Sequence, residues 1–140
     1  MSGLLELETQ LRLVGVALLG MGAFHAVLPR LIGWPADLAP TSLLTRQIAY
    51  AHTFFIGLTC VCLGLPPLLL TADLLSGSRL GTALLAGQTA FWATRLVFEF
   101  AVFSPRIWRG DRFRTAGHIA LSILWTWVTA IFATALLQAL

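Results

Sequence analysis

Residues 48–70 read IAYAHTFFIGLTCVCLGLPPLLL, a run without a single Asp, Glu, Lys or Arg. A helix needs about 20 apolar residues to cross the hydrocarbon core of a bilayer, and this run is long enough. Working outward, hydropathy marks three more segments, at about 11–28, 80–103 and 117–138. The first is the shortest and has room to begin earlier, near Leu4. Pro29, Pro35 and Pro40 punctuate the first loop, Pro66-Pro67 interrupts the end of the second segment, and Pro105 stops the third. The expected fold is all-α: an integral membrane, antiparallel four-helix transmembrane bundle. It forms a single transmembrane domain over residues 1–140, with no repeat and no room for a soluble domain.

Composition points the same way. Charged residues make up 11% of the chain, against about 25% in a soluble domain, and the mean hydropathy is +0.86. The isoelectric point near 9.7 does not call for a nucleic-acid partner, because the basic residues flank apolar spans and membrane topology accounts for them. All nine are Arg and none is Lys, which suits a GC-rich genome and a bacterial inner membrane. The opening MSGLLELETQ carries Glu6 and Glu8 where a cleavable signal would carry positive charge, so the first span is expected to be retained. Cys60 and Cys62, two apart in an apolar helix, point in different directions and read as packing residues.

The arginines set an orientation. The first and third loops hold Arg30, Arg46, Arg106, Arg109, Arg112 and Arg114, whereas the opposite side holds Arg12 and Arg79 with Glu6, Glu8 and Asp73. The positive-inside rule then places both termini away from the cytoplasm. Trp34 and Trp108 suit the interfacial belt on the cytoplasmic side. The loop SPRIWRGDRFRT (104–115) reads as an interfacial anchor or as a patch for an anionic headgroup.

In such a bundle the ionisable residues of the spans share one depth. His25 closes the first span, His52 opens the second, Arg95 and Glu99 lie late in the third, and His118 opens the fourth. Charge is costly in hydrocarbon, so a layer of this kind is a candidate site. The helical period puts Gln88, Trp92, Arg95 and Glu99 on one stripe, where Arg95 and Glu99 can pair. His118 shares a face with Ser122, Trp125 and Thr129; His25 shares one with Leu18, Met21 and Gly22; Tyr50 and Gln47 precede His52.

Imidazoles converging from several helices can ligate haem iron, a chlorin magnesium or a non-haem metal ion. Two versions follow. In one, two histidines hold haem b or a chlorin, and Arg46, Arg95 or Arg114 receives its carboxylates. In the other, His25, His52, His118 and Glu99 hold one non-haem metal. The HExxH and paired Glu-x-x-His spacings are absent, as are G-x-S-x-G and glycine-rich nucleotide loops. Gly20, Gly22, Gly57, Gly64 and Gly87, with Ala83, Ala86 and Ala90, offer close helix contact. The Phe residues crowding the cytoplasmic half, Phe54 and Phe91 among them, suit walls for a flat cofactor.

In span number and length the chain resembles the cytochrome b anchor subunits of quinone oxidoreductases, DoxX-like proteins and small multidrug transporters. Cytochrome b anchors place axial histidines at matched depth. Small multidrug transporters carry their essential Glu in the first span, where this chain has His25 and no acid. No motif of these families is matched, so the chain is assigned to none. The functional expectation is a small membrane subunit that binds a redox cofactor, pigment or metal in electron transfer or pigment binding. The alternatives are an accessory subunit of a larger complex, its polar layer bonding helices together, and an oligomeric proton-coupled transporter. Other membrane subunits or further copies of the chain are the expected partners, besides the lipid bilayer.

Overall fold

The computed structural model describes residues 2–140 and is all-α, with no strand among the described residues. Four long helices carry the architecture: α1 (Ser2–Phe24), α4 (Leu43–Leu69), α6 (Arg79–Ala101) and α7 (Arg112–Ala139). Short helices α2 (Leu28–Leu31), α3 (Trp34–Leu38) and α5 (Thr71–Leu74) fill connections, with a 3-10 turn at Pro105–Ile107. Three helices are long and apolar enough to cross a membrane: Glu6–Phe24, Leu43–Leu69 and Arg112–Ala139. The chain is accordingly a helical protein with three candidate membrane-spanning helices among the described residues. α6 has the length, at 23 residues, but Gln88, Arg95 and Glu99 lower its hydropathy.

The ends of these helices follow local chemistry. Ser42 starts α4 by accepting from the Thr45 amide at 3.1 Å, and Ser78 starts α6 by accepting from the Gly81 amide at 3.1 Å. Asp111 starts α7 by accepting from the Arg114 amide at 3.0 Å. Each satisfies an amide that the first helical turn leaves without a backbone partner. The fourth span therefore begins at Arg112 rather than near 117. α1 ends at Phe24, earlier than Leu28, and its polypeptide reverses through turns toward Pro29. Pro66-Pro67 lies inside α4, which continues to Leu69 and closes with the Leu70 amide on the Pro66 carbonyl at 2.8 Å.

Each long helix buries a narrow stripe with alternating spacings of three and four residues. The stripes are Leu7, Leu11, Val14 and Leu18 in α1, and Thr53, Gly57, Cys60, Gly64 and Pro67 in α4. In α6 they are Gly81, Leu85, Gln88, Trp92 and Glu99, and in α7 Trp125, Val128, Phe132 and Ala135. That is the two-per-heptad seam of left-handed helix pairing, narrower than the apolar face of a soluble globular helix. The remaining faces expose Leu, Ile, Phe and Val, which is the arrangement expected of segments solvated by lipid.

Contacts divide the chain into two units, one of Arg12–Thr71 and one of Ala72–Leu140 with the chain up to Leu11. In the first, α1 and α4 run antiparallel and meet at two glycine pairs. A Cβ added at Gly15 would lie 2.8 Å from the Gly64 carbonyl oxygen, and one at Gly22 would lie 2.7 Å from that of Gly57. The pairs are one heptad apart on both helices, so the backbones touch repeatedly along the seam. Gly20 and Gly87, also expected to make close contacts, face open space. Arg12 Nε donates to Thr71 Oγ1 at 3.2 Å near the far end of this unit.

In the second unit α6 and α7 form an antiparallel hairpin. Glu99 meets His118, Trp92 stacks on Trp125, and Gly77 lies near the Ala139 carbonyl. The start of α1 joins them through Trp127 Nε1, which donates to Gln10 Oε1 at 3.0 Å. Cys60 is buried and Cys62 exposed, because two residues along a helix point in different directions.

Candidate functional site

The hairpin of α6 and α7 gathers polar chemistry on its buried seam. Glu99 is 3% exposed, which is unusual for a carboxylate and costly unless it is paired. It has a partner at each oxygen. Arg95 Nη1 lies 2.9 Å from Oε2, one helical turn away on the same stripe. His118 Nδ1 lies 2.8 Å from Oε1, reaching across from the first turns of α7.

The two contacts differ in kind. The N–H bonds of Arg95 Nη1 are not aimed at an acceptor, so its link to Glu99 is an attraction between charges rather than a directed hydrogen bond. The histidine contact is directed. A carboxylate offers only lone pairs, so Nδ1 carries the proton and donates it. That fixes the ring's orientation and leaves Nε2 without a partner among the described residues, the arrangement by which a carboxylate orients a ligating imidazole.

Aromatic rings close around this cluster. Trp108 stacks on the His118 ring, with centroids 3.8 Å apart and planes at 9°. Phe100 meets the same ring edge-on at 6.0 Å. Below them Trp92 and Trp125 stack at 5.0 Å, and the Arg95 guanidinium lies 5.2 Å from the Trp125 ring and 5.7 Å from that of Phe103. Such cation–π contacts help hold a partly desolvated guanidinium. Gln88 accepts from Trp92 Nε1 at 2.9 Å, whereas the buried Trp125 Nε1 has no acceptor.

The loop between the helices is shaped for this purpose. Ser104 caps the 3-10 turn, and Gly110 takes a left-handed conformation at φ 86°. The Thr115 hydroxyl, 2.8 Å from both the Trp108 and Asp111 carbonyl oxygens, ties the loop to α7. Trp108, expected at the membrane interface, covers the histidine. Its role was not readable in sequence, because it depends on how a ten-residue turn folds back.

Of the other sequence candidates, His25, His52 and Arg46 lie in the first unit and Arg114 at the start of α7 in the second. His25, half-buried at the end of α1, donates from Nδ1 to the Met21 carbonyl at 2.7 Å. His52 is exposed, because it sits one residue out of phase with the buried stripe beginning at Thr53. Arg46 donates from Nη1 to the Ala39 carbonyl at 3.0 Å and so closes the first loop. Arg114 pairs on the surface with Asp111 at 3.4 Å. Among the described residues no three His, Cys, Asp or Glu side chains gather closely enough to hold a metal ion. The residues brought together are thus Arg95, Glu99 and His118.

No protein-family model, curated protein or solved structure matches this chain.

Proposed function

We propose that the chain is a small integral membrane subunit that presents His118 as the axial ligand of a macrocyclic cofactor, a haem b or a chlorin. The observation that supports this is the bond from Nδ1 to Glu99 Oε1, which spends one ring nitrogen and leaves Nε2 to coordinate. A macrocycle supplies four nitrogens of its own and needs as little as one imidazole. A bare metal ion needs at least three protein ligands, and no such group is present among the described residues. The non-haem metal reading is therefore the weaker of the two. In this reading Arg95, 30% exposed at its side chain, would meet a carboxylate of the cofactor.

In this reading α6 is the third of four spans in an antiparallel bundle. Its 23 residues reach about 34 Å, enough to cross the hydrocarbon core. Its charges are tolerable there because Arg95 and Glu99 neutralise one another against α7. The six arginines of the first and third loops support a cytoplasmic position for that end of α6 and α7, with both termini outside, and a bacterial inner membrane suits this reading.

A second reading, an accessory subunit, draws on a different observation: both Glu99 oxygens are already engaged within the hairpin. The cluster would then serve as a polar clasp between helices. An absorption spectrum from about 300 to 900 nm of protein purified gently from its own membrane separates the two. A Soret band or far-red chlorin bands lost in His118→Ala supports the cofactor subunit. A featureless spectrum of that preparation rejects it and favours the clasp.

A further inference from the structure

The first unit contains a cavity that the proposed function does not use. It opens where the end of α1 faces the beginning of α4 and has a volume of about 430 Å³. That falls in the range of about 300–1,000 Å³ occupied by small-ligand pockets. Its origin lies in small side chains. Gly22 and Ala23 on α1, Ala26 in the turn after it and Gly57 on α4 supply almost no bulk, while Phe54 and Val61 form walls.

The polar groups lining this cavity are few, and one has its chemistry fixed. His25 Nδ1 is 2.7 Å from the Met21 carbonyl oxygen, which can only accept. Nδ1 must therefore carry the proton, and in the neutral ring Nε2 is a lone-pair acceptor with no partner among the described residues. Thr53 has already given its hydroxyl proton to the Ala49 carbonyl at 3.1 Å. Tyr50 supplies an aromatic side chain, braced edge-on by Trp34 at 6.2 Å. The pocket thus combines an apolar, aromatic-walled space with an acceptor that asks for a donor. It holds no Arg or carboxylate, so a charged ligand would enter uncompensated.

We propose that this cavity binds a neutral, membrane-soluble molecule bearing a phenolic hydroxyl, which donates to Nε2 of His25 while its ring occupies the apolar space. The site is lined by no residue of the second unit and does not depend on the cofactor reading.

The test uses two probes of matched shape, 4-butylphenol and 4-butylanisole, which differ in having or lacking the hydroxyl donor. Each is titrated calorimetrically into the full chain in detergent micelles, with empty micelles as the blank. The phenol should bind saturably at one site, about tenfold more tightly than the anisole, as one neutral hydrogen bond allows. His25→Leu should equalise the two probes. Ala23→Leu, at an exposed position that fills the cavity, should weaken both and leave helicity unchanged. His118→Ala should leave phenol binding intact. Equal binding of the two probes to the unmodified chain, uptake no greater than that of empty micelles, or full binding by Ala23→Leu would each overturn the proposal.

Discussion

Glu99 and His118, 19 residues apart in sequence, face one another at 2.8 Å across the α6–α7 seam, each on its helix's heptad stripe. Because Glu99 is buried and also neutralises Arg95, the pair ties the helices together while orienting an imidazole. Glu99→Gln removes the charge but preserves the shape. It leaves Arg95 beside a neutral amide, and it should cost about 1–3 kcal/mol of stability, since a bond to a charged group is lost. Arg95→Met in the same chain should recover part of that loss, because the stranded cation is then gone. Thermal or denaturant unfolding in detergent of the single and double variants measures both effects. A Glu99→Gln protein as stable as the parent would show that the carboxylate does not hold the hairpin.

The glycine pairs make a sharper steric prediction. A side chain at Gly22 would collide with the Gly57 carbonyl oxygen at 2.7 Å, and backbone cannot rotate aside as a flexible side chain can. Gly22→Leu should therefore force α1 and α4 apart, costing about 1–3 kcal/mol or more. Gly20→Ala, two residues away on the open face, should be neutral or stabilise by up to about 1 kcal/mol through helix propensity. Comparing unfolding midpoints of the two variants checks this, and equal behaviour would remove the glycine seam as an organising contact.

These two seams explain what could be read in the sequence and what could not. Helices were legible because long runs lacking charge leave few alternatives, and the Arg95–Glu99 pair was legible because four residues make one helical turn. The Gln88–Trp92–Glu99 stripe was visible for the same reason. The inward faces elsewhere were not, because they differ from the lipid-facing ones in size rather than polarity: Gly57, Cys60 and Gly64 face inward while Phe54, Phe55 and Leu58 do not. Gly15 escaped notice on that account, and so did the outward phase of His52. Pro66-Pro67 reads as a break, but it falls in the last turns of α4, where the helix runs on for only two further residues. Trp108 over His118 depends on the fold of a loop, which periodicity does not address.

The start of α7 offers a test of capping. Asp111 accepts from the Arg114 amide at 3.0 Å and also meets the Arg114 side chain at 3.4 Å on the exposed surface. The exposed ion pair should contribute little, well under about 1 kcal/mol. Asp111→Asn, which keeps a capping oxygen, should therefore be close to neutral, whereas Asp111→Ala should cost about 0.5–2 kcal/mol. Hydrogen exchange at the amides of residues 112–115 should rise only in the Ala variant. Equal exchange in both would assign the stability of this turn to the ion pair instead.

The stacked tryptophans permit a comparison in which burial cancels. Trp92 is 1% exposed and Trp125 4%, so replacing either with Phe removes similar apolar area from a similar environment. Their indole N–H groups differ. Trp92 Nε1 donates to Gln88 Oε1 at 2.9 Å, while Trp125 Nε1 is buried without an acceptor. Trp92→Phe discards a made hydrogen bond; Trp125→Phe discards an unmade one and relieves its desolvation cost of about 1–3 kcal/mol. One effect opposes this order. The Arg95 guanidinium, 5.2 Å from the Trp125 ring, loses part of its cation–π attraction over the weaker quadrupole of Phe, a fraction of the about 0.5–2 kcal/mol such contacts carry. The hydrogen-bond difference is the larger, so Trp92→Phe should destabilise the protein by about 1 kcal/mol more than Trp125→Phe. Unfolding of the two variants under identical detergent conditions measures the gap. The reverse order would mean that the cation over Trp125 outweighs its stranded N–H, and that Arg95 depends on that ring more than on Glu99.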